Sequence, residues 1–93
     1  MVFGIFRISG HSMMPYLKPY DRVIVSSIPY YFSKPKIGDV VLFRYNDKML
    51  IKRIKKFSSK SIFVKGDNVR DSLKTKPIKR DAILGKLILI LNA

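Results

Sequence analysis

Ser12 and Lys52 have the side-chain types and the settings for covalent chemistry on a carbonyl. Ser12 lies in Ser9-Gly10-His11-Ser12-Met13-Met14-Pro15-Tyr16-Leu17, between an apolar run (Val2 to Ile8) and a β-branched run (Arg22 to Val25). That pattern predicts strand, irregular turn, strand, with the hydroxyl displayed at the turn. A serine hydroxyl is a weak nucleophile without a base, and alone Ser12 also reads as an ordinary turn former.

Lys52 belongs to Met49-Leu50-Ile51-Lys52-Arg53-Ile54-Lys55. Side chains alternate faces along a strand, so Lys52 shares a face with Leu50 and Ile54, whereas Arg53 shares the other with Ile51 and Lys55. Burial disfavours the ammonium form, and neighbouring positive charge pushes the same way. Bringing a lysine from about 10.4 to near 7 corresponds to roughly 4 to 5 kcal/mol, at about 1.4 per unit. A neutral Lys52 could then take the proton of Ser12. The same residues, with Lys56, also read as a solvated or phosphate-facing basic stripe. His11, the single histidine, is the rival base. Adjacent side chains of an extended segment point apart, and no carboxylate stands where it would orient the ring. His11 therefore reads as packing or hydrogen-bonding beside the turn. A third segment, Lys65-Gly66-Asp67-Asn68-Val69-Arg70-Asp71-Ser72, follows an apolar run with residues that make tight turns.

The elements that must position these residues are mostly strands. Phe3 to Ser9, Arg22 to Ser26, Val40 to Phe43, Met49 to Phe57, Ile62 to Lys65 and Ile83 to Leu91 are β-rich. Asn46-Asp47-Lys48 looks like a hairpin loop. Pro29, Pro35 and Gly38 punctuate a loop carrying Tyr30, Tyr31 and Phe32. Strands at short spacing without an amphipathic helix predict an all-β chain, a single small and partly open β-barrel or sandwich spanning residues 1–93.

Ninety-three residues suit one modest core, and 47 % hydrophobic residues are too many for a disordered segment. The absence of cysteine excludes disulfides, and one histidine leaves an N/S metal site without ligands. Nineteen Lys and Arg against six Asp and Glu give a net charge of +13, which raises nucleic acid or an anionic membrane surface as a partner. The longest apolar run, Leu87 to Leu91, is strand-sized, far short of the roughly 20 residues of a spanning helix. The N-terminus has no leading basic region and no small-residue cleavage site. The expectation is a soluble chain without targeting or transmembrane segment, cytoplasmic or peripheral to a membrane.

Taken together and in order, residues 9–17, Ile-Gly-Asp-Val-Val-Leu-Phe (37–43), Ile-Lys-Arg-Ile (51–54) and Gly-Asp-Asn through Ser72 resemble the successive boxes of the type I signal peptidase family, the S26-like Ser/Lys peptidases. The resemblance covers about residues 8 to 86. It implies Ser12 as nucleophile, Lys52 as general base and Ser72 as the hydroxyl that orients the lysine amine. It also implies the Ser12 backbone N–H as part of an oxyanion hole, where one donor is commonly worth roughly 10²- to 10³-fold in rate. The transmembrane anchors and large extra β-domain of the bacterial enzymes have no counterpart in this sequence. In that respect it is more similar to the short nickel superoxide dismutase maturation proteases.

The sequence departs from the family pattern at three places. Gly10 stands where a second serine often donates to the oxyanion, and Ser9 is one residue too early. Tyr20-Asp21 replaces a usual Gly-Asp. Lys74 stands where an aspartate commonly follows the Ser72 equivalent, leaving Asp71 as the candidate partner for Arg53.

The function implied is a serine endopeptidase that removes an N-terminal signal or pro-segment from a precursor polypeptide. It would cleave after small residues seated near Met13, Met14 and Ile51, and would require no cofactor. The alternative is a basic β-barrel module binding nucleic acid or an anionic surface, with Tyr30, Tyr31, Phe32 and Phe43 stacking bases.

Overall fold

The computed structural model describes residues 2–70 and 74–91. Six strands form one antiparallel sheet: β1 (Phe3–Arg7), β2 (Arg22–Ser26), β3 (Val40–Tyr45), β4 (Lys48–Ser58), β5 (Ser61–Lys65) and β6 (Ile83–Leu91). Their spatial order is β1-β2-β6-β3-β4-β5. The all-β expectation holds, and the partly open barrel or sandwich takes the form of one open sheet with β1 and β5 at its edges.

Local sequence explains most of the connections. Asn46 and Asp47 both have positive φ (50° and 63°), the conformation that a two-residue hairpin turn requires and that Asn and Asp tolerate. Pairing therefore runs from Tyr45↔Lys48 to Val40↔Arg53 without a break. Tyr20, where the family usually shows glycine, has φ of 74°. This bulky side chain holds a left-handed backbone that glycine adopts without steric cost.

The segment 29–32 corrects an expectation. Instead of an irregular loop it forms one helical turn, α1 (Pro29–Phe32), with the Ser33 N–H donating to the Pro29 carbonyl at 3.1 Å. Proline at the first position loses no helical hydrogen bond there. The Tyr30 hydroxyl donates to Asp39 Oδ2 at 2.7 Å, pinning the turn to the base of β3. Burial first, and this bond second, push the Tyr30 phenol well above its ordinary range.

β3 lies between β6 and β4 and is buried on both faces. Val40 and Leu42 join Ile8, Met13, Leu17, Val23, Val25 and Leu87 in one core cluster. Val41 and Phe43 join Ile54, Ile62, Ile78 and Ile83 in the other. Such a strand reads as a continuous apolar run instead of an alternating one, as Val40-Val41-Leu42-Phe43 does. Phe43 is completely buried, and the Tyr30 ring lies under the Arg80 guanidinium at 5.3 Å. Of the four aromatic residues expected to stack bases, only Tyr31 and Phe32 are exposed.

Candidate active site

The serine turn is built between β1 and β2. Its ends are tied by Ile8 N–H to the Asp21 carbonyl (2.8 Å) and Tyr20 N–H to the Ile8 carbonyl (2.9 Å). Within it, Met14 N–H donates to His11 O (3.1 Å) and Leu17 N–H to Met13 O (2.9 Å). Leu17 is fully buried and Met13 nearly so, so two apolar plugs anchor the turn in the first core cluster while Ser12 stays half-buried at its crest. Gly10 has φ of 80°. A serine at this position would be strained, which gives a backbone reason for the departure from the family's second serine.

The Gly66-Asp67-Asn68 turn grips this segment from the far side. Asn68 N–H donates to the Ser12 carbonyl at 2.8 Å, and Asn68 Nδ2 donates to the His11 carbonyl at 3.0 Å. Asp67 N–H reaches the Met13 sulfur at 3.4 Å. Sequence reading took these residues as turn formers and missed this role. Their proximity to Ser12 is a contact between positions more than fifty residues apart, which no local pattern encodes.

Arg53 holds that turn in place. Its Nε donates to Asp67 Oδ1 and its Nη2 to Asp67 Oδ2, both at 2.9 Å. Nη1 donates to the Gly38 carbonyl at 2.9 Å, and the guanidinium stacks 4.8 Å from the Tyr16 ring centre. The fork matches the carboxylate as a bidentate pair. The hydrogen bond to Arg53 is the main cause that holds the Asp67 carboxyl below its ordinary range, and the same bond raises the guanidinium. Asp67 is therefore the partner of Arg53. Asp71, expected in that role, lies outside the described residues, as does Ser72.

Lys52 follows from strand alternation as expected. It lies opposite Val41, on the face shared by half-buried Leu50 and fully buried Ile54, and is itself only 3 % exposed. Burial pushes the ammonium below its ordinary range, with desolvation as the cause. A buried lysine is a stronger candidate base than an exposed one, because more of it is neutral near pH 7.

Ser12 and Lys52 line one cleft of about 410 Å³, together with Met13, Ile51, Leu42 and the residues from Phe6 to His11. Met14 is not among its lining residues. Met13 contributes to the cleft wall although most of its side chain is core. A second, larger groove lies elsewhere and shares no lining residue with this cleft.

Comparison with known proteins decides the family. The model of the signal peptidase family, peptidase S26, matches residues 1–57. The chain belongs to that family. The matched region of this S26 chain contains the serine turn, β3 and Lys52, and ends before the Gly66-Asp67-Asn68 turn. A curated relative, the thylakoidal processing peptidase 1, chloroplastic, of Arabidopsis thaliana, is 34% identical over 58 residues. That alignment covers 62% of this chain and 17% of the relative, so the S26 chain spans a small part of the relative's length. Among the described residues, no helix is long and apolar enough to cross a membrane.

Proposed function

We propose that this S26-family chain is a serine endopeptidase that uses Ser12 and Lys52 as a dyad to remove an N-terminal signal or pro-segment from a precursor polypeptide. The observation that carries the reading is the shared cleft: a half-buried serine on a braced turn and a lysine whose burial favours the neutral amine.

The chemistry follows from those two groups. Neutral Lys52 Nζ takes the proton of Ser12 Oγ as the oxygen attacks the scissile carbonyl, and the resulting ammonium returns that proton to the leaving amine. Water then attacks the acyl-enzyme ester with Lys52 as base, releasing the new carboxylate and restoring the serine. The Ser12 backbone N–H serves the developing oxyanion. Asn68 Nδ2 holds the His11 carbonyl and thereby the orientation of the His11–Ser12 peptide that carries this N–H, while the Asn68 N–H holds the Ser12 carbonyl on the other side. Ser72 is assigned the orienting hydroxyl for the lysine by family resemblance.

The substrate binds extended. Phe6, Arg7 and Ile8 line the cleft at the end of β1, an edge strand with backbone groups available for a further strand. Ile51 and Met13 form the apolar wall for small side chains before the scissile bond, and Met14 shapes the turn behind it.

The test is mass spectrometry of a small-residue-rich peptide library incubated with wild type, Ser12→Ala and Lys52→Met. Cleavage after small residues by the wild type alone is the expected result. Undiminished cleavage by folded Lys52→Met overturns the dyad.

A further inference from the structure

We propose that Arg7 sorts substrates by charge, selecting precursors with an acidic side chain at the second residue before the scissile bond. The inference rests on the protease reading and adds to it a specificity that the dyad does not supply.

One wall of the Ser12 cleft is Phe6-Arg7-Ile8, the end of β1 and the residue after it. Side chains along such a segment alternate between faces. Ile8 is buried in the first core cluster and Phe6 packs against the same cluster, whereas Arg7 between them is exposed. A substrate strand laid along this edge shares the pleat, so its residues alternate in the same way. The residue whose carbonyl meets Ser12 lies at the Ile8 end, where the chain enters the serine turn, and its small side chain points inward to Met13 and Ile51. The residue before it points outward, beside Arg7. The next one back points inward again, toward Phe6.

Charge gives the outward position its preference. Arg7 is paired directly with Arg22 of β2, so the two side chains stand on one face of the sheet, where opposed like charges repel. Among the described residues neither guanidinium has an ion-pair partner. Arg7 therefore gains nothing by lying back over β2 and is left to the free edge. Among the described residues that line the cleft, none is acidic. A substrate carboxylate at the outward position supplies the missing acceptor, and the guanidinium fork matches it as a bidentate pair. A lysine at that position meets two like charges instead. Exposed ion pairs are individually weak and screened by salt, so the selection is severalfold and fades as ionic strength rises.

The test uses peptides identical except for Asp, Asn or Lys at the second residue before the cleavage site, with alanine on both sides of it. Their kcat/KM with the wild type reads selection during cleavage. Their binding to Ser12→Ala, measured by calorimetry, reads selection without chemistry and so separates this inference from the dyad. At low salt, Asp should be favoured over Asn by about threefold and over Lys by about tenfold, and both ratios should shrink toward one in about 0.5 M salt. Arg7→Glu, alone and with Ser12→Ala, should invert the order to Lys over Asp. Lys60→Glu makes the same change of charge in the turn between β4 and β5, away from the cleft, and should keep the wild-type order. Both positions are exposed, so the variants keep the fold, which circular dichroism verifies. Ordered binding without any cleavage by the wild type removes the dyad and leaves the role of Arg7 standing. Equal use of the three peptides, an order unmoved by Arg7→Glu, an order inverted by Lys60→Glu as well, or no binding of any peptide overturns that role, whether or not cleavage occurs.

Discussion

The Arg53–Asp67 pair offers the sharpest test of how the candidate site is held. Truncating Asp67 to alanine removes two bonds of 2.9 Å to the guanidinium. Breaking a fully buried pair costs about 3 to 5 kcal/mol. Here the side chains are 25% and 16% exposed, so water recovers part of the loss, and about 2 kcal/mol is expected from bonds to charged groups. Arg53→Met loses the same bonds, the Gly38 contact and the Tyr16 stacking, for about 2.5 to 3 kcal/mol. With a urea slope near 1 kcal/mol/M for a domain this small, the midpoints should fall by roughly 2 M and roughly 2.5 to 3 M. The double variant should fall by about 2 kcal/mol less than the sum, because the two changes remove one shared interaction. The pH dependence has a definite sign. The folded carboxyl lies below its ordinary value, so its stabilisation is complete above the unfolded value of about 3.9 and disappears as pH falls through the folded one. Wild type and Asp67→Ala should therefore converge in strong acid. Because Asn68, the next residue, bonds the Ser12 carbonyl, peptide cleavage by folded Asp67→Ala should drop about tenfold or more. Midpoint losses below about 0.5 M, strictly additive, with cleavage intact would refute the bracing argument.

Two further outcomes test the neighbouring elements. Lys52 has its folded value lowered by burial, so between that value and about 10.4 the unfolded chain binds more protons and wild-type stability rises with pH. Lys52→Met should abolish that slope in urea titrations across pH 6 to 10 and raise stability near neutrality by about 1 to 3 kcal/mol, since a near-isosteric apolar side chain replaces a buried charge. The wild-type cleavage rate should climb over the same window as the amine becomes neutral. Gly85→Ala should destabilise by about 1 to 3 kcal/mol in thermal unfolding, because a Cβ there would lie 2.9 Å from the Ser26 carbonyl oxygen and 2.8 Å from Val25 Cγ1. An unchanged Tm would show that β2 and β6 can separate without cost.

The strands were legible because each is bounded by turn chemistry that acts locally. Asn46-Asp47 and the Gly38 turn, with φ of 95°, lie where composition placed breaks. The α1 turn was not legible, since four residues are too few for helical periodicity and its stability comes from Tyr30 reaching Asp39. For the site, alternation on β4 separated Lys52 from Arg53, and the serine turn was marked by Gly10 and Pro15. The partner of Arg53 was not, because the pairing with Asp67 joins positions 14 residues apart on different elements and only the folded turn brings that carboxylate to the guanidinium.

Sequence by itself determined the β class, the two candidate reacting groups and the family boxes, all of which depend on residue type and short-range spacing. The tertiary structure decided how those pieces meet. It inserts β6 between β2 and β3 and brings Asn68 to the Ser12 carbonyl. It also buries Lys52 beside Ile54 and leaves Phe32 in water. The physical reason is that strand pairing order, burial and long-range hydrogen bonds depend on which surfaces exclude water together, a property of the whole chain that no local window contains.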